Sequence, residues 1–157
     1  MRYFEDLSAG DTVDLGEYAL TREEIVSFAS EWDPQPFHLE ESGAEGSVFD
    51  GLVASGLHTL CIGGKLLVEG FMNDVANMGG RGMSDIRWHR PVAPDETLSG
   101  RVTVAEKGEP RHPDRGDVAF ELTLYGSDGE PVLSTTFRNI VRRRAPRETQ
   151  ETRATQE

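Results

Sequence analysis

The sequence predicts an α+β domain, and three patterns predict it. One long apolar segment, from Ser55 to Phe71, repeats at helical spacing. Beyond residue 82 the apolar period changes to two and holds through four short segments. No internal repeat divides the chain, and 157 residues suit one ordinary domain with a real core. A single long helix followed by antiparallel strands implies a helix packed on one face of a sheet.

Taken in order, residues 1–10 read as a leader ending in a turn, with Tyr3, Phe4 and Leu7 available to pack. Residues 11–20 alternate well enough for a first strand through Val13, Leu15, Tyr18 and Leu20. Thr21 and Glu24 form a Thr-x-x-Glu capping box, which opens a helix that should stop near Trp32. Asp33 precedes Pro34 and Gln35 precedes Pro36, so the helical region is disfavoured at both. Asp33 and His38 are therefore expected on a stiff, extended turn. Residues 39–54 read as an irregular crossing segment that closes one wall of a pocket.

In the central helix the apolar set Leu57, Leu60, Cys61, Gly64, Val68 and Phe71 defines the expected buried face. Gly63-Gly64 is costly inside a helix and implies close approach of a sheet or of a substrate chain. NMGGRG (77–82) reads as a link, followed by strands at 83–90, 97–106, 118–125 and 131–142. In the first of these Ile86 and Trp88 share one face. GSDGE (126–130) is the turn of a tight hairpin. The ordered domain is set at 1–143, and residues 144–157 are expected to be a disordered polar tail.

Composition excludes several classes. A net charge of −12 argues against nucleic-acid binding. No run of about 20 apolar residues is present, so no membrane span is expected. MRYFEDL lacks the sections of a signal peptide, which makes the cytosol the expected compartment. The single cysteine, Cys61, rules out an internal disulfide and is placed in the core of the central helix. Only Lys65 and Lys107 are lysines; so acidic and lysine-poor a surface suits a high-salt environment, where screening removes self-repulsion.

The chemistry concentrates between Phe28 and Ile62. A lone histidine is by default a surface residue, but His38 has Asp33 nearby on a proline-braced segment. Ser55 can cap the central helix, which leaves the Gly56 amide without an intrahelical acceptor and able to bind a developing negative charge. A carboxylate, an imidazole and a free amide donor fit proton transfer beside a polarised carbonyl.

WDPQPFH (32–38) resembles the hydratase motif of the MaoC-like dehydratases, usually Asp-x-Asn-Pro-x-His, with Gln35 at the customary Asn position. VASGLHTL (53–60) is similar to the family's second element, and RPVAPDETL (90–98) to its third, with Glu96 in place of the usual Asp. The resemblance runs over roughly residues 4 to 142. It implies a hotdog fold, with a five-stranded antiparallel sheet wrapped around the central helix, and a homodimer or larger assembly. It also implies reversible hydration of trans-2-enoyl-CoA to (R)-3-hydroxyacyl-CoA with no cofactor. Asp33, His38 and the Gly56 amide would be catalytic, with His38 activating water and Gly56 holding the thioester oxygen.

Gln35 and Ser55 are further candidates for contact with the substrate, and Arg87 and Arg90 for the coenzyme's phosphates. The alternative for the arginines is solvated strand charge, and for Ser55 a helix cap. His58 reads as structural. Asp33, His38 and His58 lack the spacing of a metal site, and none is assigned. Two other functions fit the same segments: a hotdog acyl-CoA thioesterase, against which His38 argues, and a non-catalytic acyl-CoA-binding subunit.

Overall fold

The computed structural model describes residues 1–145. Five antiparallel strands form one sheet, β1 (Thr12–Ala19), β2 (Asn77–Trp88), β3 (Thr97–Lys107), β4 (Arg115–Tyr125) and β5 (Pro131–Arg142), in the order β1-β3-β4-β5-β2. The long helix α4 (Gly56–Gly70) lies against the sheet through β1, β3 and β4. This sheet-around-helix arrangement is the hotdog fold that the sequence implies. Phe120, Leu122, Leu124, Leu133, Val102 and Val104 form the sheet's side of the core. Among the described residues no helix is long and apolar enough to cross a membrane.

The first helix, α1 (Arg22–Trp32), begins as its capping box dictates: Thr21 accepts from the Glu24 amide, and Glu24 reaches back to Thr21. Asp33 closes it, and Pro34 prevents its continuation. The segment to His38 is not extended throughout. Pro36 opens a single helical turn, α2 (Pro36–Leu39), because its fixed φ suits the first helical position. A second turn, α3 (Glu41–Ala44), follows within the segment read as irregular. The two pack so closely that a Cβ on Gly43 would overlap the Pro36 carbonyl.

Three expectations on the central elements need correction. The buried face of α4 is His58, Thr59, Ile62, Gly63, Leu66 and Leu67, about one residue's rotation from the expected stripe. Leu57, Cys61 and Val68 are exposed, so Cys61 is not a core residue. The helix is apolar nearly all round, so spacing alone did not select a face. Gly63 does: a Cβ there would come within 2.9 Å of Leu122. The glycine-rich link is also strand, since β2 starts at Asn77 and absorbs its glycines in irregularities of register with β5. A further irregularity between Ser84 and Arg87, with Asp85 at φ 53°, breaks the simple alternation, and Ile86 and Trp88 are both exposed.

At the C-terminus, Arg143 and Arg144 pair with Glu5 and Asp6. The rest of the expected polar tail, 146–157, lies outside the described residues.

Candidate active site

Asp33 stands at the C-terminal cap of α1, where the Ala29 carbonyl holds its backbone amide at 2.9 Å. His38 is carried by α2 and is buried. Its Nδ1 lies 2.7 Å from the Val53 carbonyl, which can only accept. Nδ1 therefore bears the proton, and the lone pair of the neutral ring is on Nε2. That Nε2 lies 3.4 Å from Asp33 Oδ2. Two proton acceptors thus face each other, rather than a donor and an acceptor.

The carboxylate is held on both oxygens. Ser55 Oγ donates to Oδ2 at 2.7 Å, and Gln35 Nε2 donates to Oδ1 at 2.7 Å. The Ser55 bond is the largest influence on the Asp33 carboxyl. With Gln35 and His38 it outweighs burial, so the group stays below the ordinary carboxylate range. Ser55 also accepts the Leu57 amide at 3.2 Å, so one hydroxyl caps α4 and fixes Asp33. The Gly56 amide has no acceptor among the described residues and stands at the positive end of that helix.

These groups meet at a cavity of about 500 Å³. Asp33, Gln35, His38 and Gly56 line it, along with apolar walls from Phe37, Phe49, Leu57, Trp88 and Val92. Its size and apolar lining suit a small organic group such as an acyl chain. The structure thus brings together Asp33, Gln35, His38 and Gly56.

It places the other sequence candidates differently. Ser55 is fully buried and does not line the cavity; its contact is with Asp33. Arg87 lies in a separate surface hollow with Asp85, Glu121 and Ser134, because the register change after Ser84 turns it away. Arg90 does line the cavity, but its guanidinium is forked onto both Glu96 oxygens and bonded to Asp128. Those bonds stabilise its charge and leave it little capacity for a phosphate. Burial pushes the Glu96 carboxyl up, yet Arg90 and the Ala93 and Ser127 amides bring it below its usual value.

Phe49 and Val53 line the cavity from the 39–54 segment expected to close one wall, while sequence reasoning missed Trp88 and Phe37 as walls and the Val53 carbonyl as the group that orients His38. Phe37 and Val53 carry a signal in standing within or beside the Asp33–His38 and Ser55–Gly56 segments, whereas Trp88 lies 32 positions from Gly56 and carries none. His58, read as structural, is buried and stacks on Phe28 at 4.4 Å.

Comparison with known proteins finds relatives that cover most of the chain. The family model described as the MaoC like domain matches residues 6–124. The uncharacterized protein YdeM of Bacillus subtilis is 29% identical over 140 residues, covering 88% of this chain and 98% of that protein. Protein MaoC of Klebsiella aerogenes is 31% identical over 108 residues, covering 68% of this chain but only 31% of that protein. The crystal structure of a MaoC-like dehydratase from Rhodospirillum rubrum is 36% identical, with a TM-score of 0.86, and covers 93% of this chain and 100% of that one. On the match of sequence, sheet and central helix together, the chain belongs to the MaoC-like domain family.

Proposed function

We propose that this protein reversibly hydrates trans-2-enoyl-CoA to (R)-3-hydroxyacyl-CoA. The observation that carries the reading is the pair of acceptors, Asp33 Oδ2 and His38 Nε2, 3.4 Å apart at the cavity that Gly56 also lines. A water between them donates one hydrogen to each and turns its lone pairs toward the substrate. His38 Nε2 takes a proton as the water oxygen adds to C3. Electron density moves to the thioester oxygen, where the Gly56 amide stabilises it. The dyad returns a proton to C2, so water is added across the double bond with no net change in the protein's protons. Asp33, kept ionised by Ser55 and Gln35, orients the water and stabilises the imidazolium as it forms.

The same reading includes a homodimer in a cytosolic setting. Among the described residues the outer edge of β2 is unpaired, and exposed Leu57, Val68, Met83, Ile86 and Trp88 provide apolar surface for a second copy. Arg90, the only arginine or lysine lining the cavity among the described residues, is already engaged. The coenzyme's phosphates would therefore meet charge outside this cavity.

The test is loss of the enoyl-thioester absorbance of crotonyl-CoA with the unaltered protein, Asp33→Asn and His38→Ala. Hydration should fall by about 10²- to 10⁴-fold in each variant, the range for losing a positioned acid–base group. Turnover that survives both substitutions in folded protein would rule the mechanism out. Release of free thiol in place of hydration would assign a thioesterase instead.

A further inference from the structure

The indole of Trp88, on the last residue of β2, reaches over the start of α4. Its Nε1–H donates to the Gly56 carbonyl at 2.9 Å. The ring lies so close that a Cβ on residue 56 would stand 2.7 Å from Cε2 and Nε1. Yet Trp88 is 49% exposed, so this bond does not serve to satisfy a buried indole. The accepting carbonyl belongs to the peptide joining Gly56 to Leu57. The N–H of that peptide donates to Ser55 Oγ at 3.2 Å, and Ser55 Oγ donates to Asp33 Oδ2 at 2.7 Å.

Indole, peptide, hydroxyl and carboxylate therefore form one run of hydrogen bonds with every donor pointing toward Asp33. In such a run each bond polarises the next: a donor on the carbonyl makes the amide a better donor, and the hydroxyl after it. The run also pins Gly56 from its carbonyl side, beside the amide left free for the substrate.

We infer that Trp88 is a positioning residue, which fixes the Gly56 amide and strengthens the hold of Ser55 on Asp33. The inference rests on the hydratase reading for its effect on turnover, but not for its effect on the hydrogen bonds. Among the groups that face Asp33, Gln35 and Ser55 are neutral, and His38 is the one ionisable side chain.

Trp88→Phe keeps an aromatic wall and removes only the donor. It should lower kcat for crotonyl-CoA about tenfold, the worth of roughly one hydrogen bond, and leave KM within about twofold. With less donation to Asp33, the acid limb of kcat/KM should move to higher pH. A ring that merely packs would leave that limb in place, so an unchanged kcat and an unchanged limb overturn the inference. NMR of the free protein decides independently of activity. The Gly56 and Leu57 amide resonances should shift in Trp88→Phe. In the unaltered protein the Trp88 indole proton should exchange more slowly than that of Trp32, which is 69% exposed. Equal exchange of the two indoles overturns the assignment even if the variant fails to fold. Absent hydration by the unaltered protein would count against the hydratase reading alone.

Discussion

Ser55 Oγ lies 2.7 Å from Asp33 Oδ2 while accepting the Leu57 amide at 3.2 Å, so one buried hydroxyl joins a helix cap to the candidate catalytic carboxylate. Ser55→Ala should therefore do two separable things. Loss of the cap costs about 1 kcal/mol of stability, read by urea unfolding. Loss of the strongest donor to Asp33 lets its carboxyl rise, so the acid limb of the activity profile moves to higher pH. A carboxylate depressed in the fold contributes stability that is present above its unfolded value and lost as pH falls through its folded value. Ser55→Ala should shrink that contribution. A variant that loses stability but keeps the same acid limb would show that Ser55 is a cap and nothing more.

Gly56→Ala tests the other side of the same helix start. The added Cβ would stand 2.7 Å from the Trp88 ring, so the helix or the indole must shift. Activity should fall about 10²-fold or more if the displaced amide is the oxyanion donor. Combining Gly56→Ala with Trp88→Ala removes the clash and should recover thermal stability. Recovery of full activity in the double variant would show that Trp88 is not needed to hold the amide in place.

The parts of this site that were legible in the sequence are those fixed by local chemistry. Thr21 and Glu24 set the start of α1, Pro34 ended it at Asp33, and Ser55 marked the start of α4. Choices settled by tertiary packing were not legible. The apolar residues of α4 fit either of two faces, and only the approach of Leu122 to Gly63 selects one. Arg87 and Arg90 look equivalent in the sequence. A register change at Asp85 sends one away from the cavity, and Glu96 and Asp128 occupy the other. The link from Asp33 to Ser55 spans 22 positions and has no local signature.

His58 offers a prediction on acid stability. Burial lowers its imidazole below the ordinary histidine value, against a smaller opposing pull from Glu24. Its Nδ1 has no hydrogen-bond partner among the described residues, and its ring lies flat on Phe28. The unfolded chain therefore binds this proton more readily than the folded one. As pH falls below the unfolded value, stability should fall by up to about 1.4 kcal/mol per pH unit, until the folded value is reached. His58→Phe keeps the stack and removes the proton site. Urea unfolding of the two proteins between about pH 7 and 5 should give a flatter slope for the variant. Identical slopes would mean that His58 is as free to ionise in the fold as in the unfolded chain.

The last prediction concerns the unpaired edge of β2. That strand runs 12 residues with one side open, and a long open edge beside apolar surface invites pairing. Val68 on α4 and Ile86 on β2 are 46% and 37% exposed, although both are large and apolar. Leu57 and Trp88 are exposed as well, at 48% and 49%, and both line the cavity. If a second copy covers it, the protein in solution should weigh about twice the 17.3 kDa of the chain. Val68→Asp with Ile86→Asp places a charge on each half of the covered surface and should return it to the mass of one chain in light scattering. If the second copy also covers the exposed Leu57 and Trp88 of the cavity wall, the dissociated variant should lose affinity for enoyl-CoA without touching Asp33 or His38. A parent protein that is monomeric at micromolar concentration, yet hydrates crotonyl-CoA, would show that one chain carries the whole site.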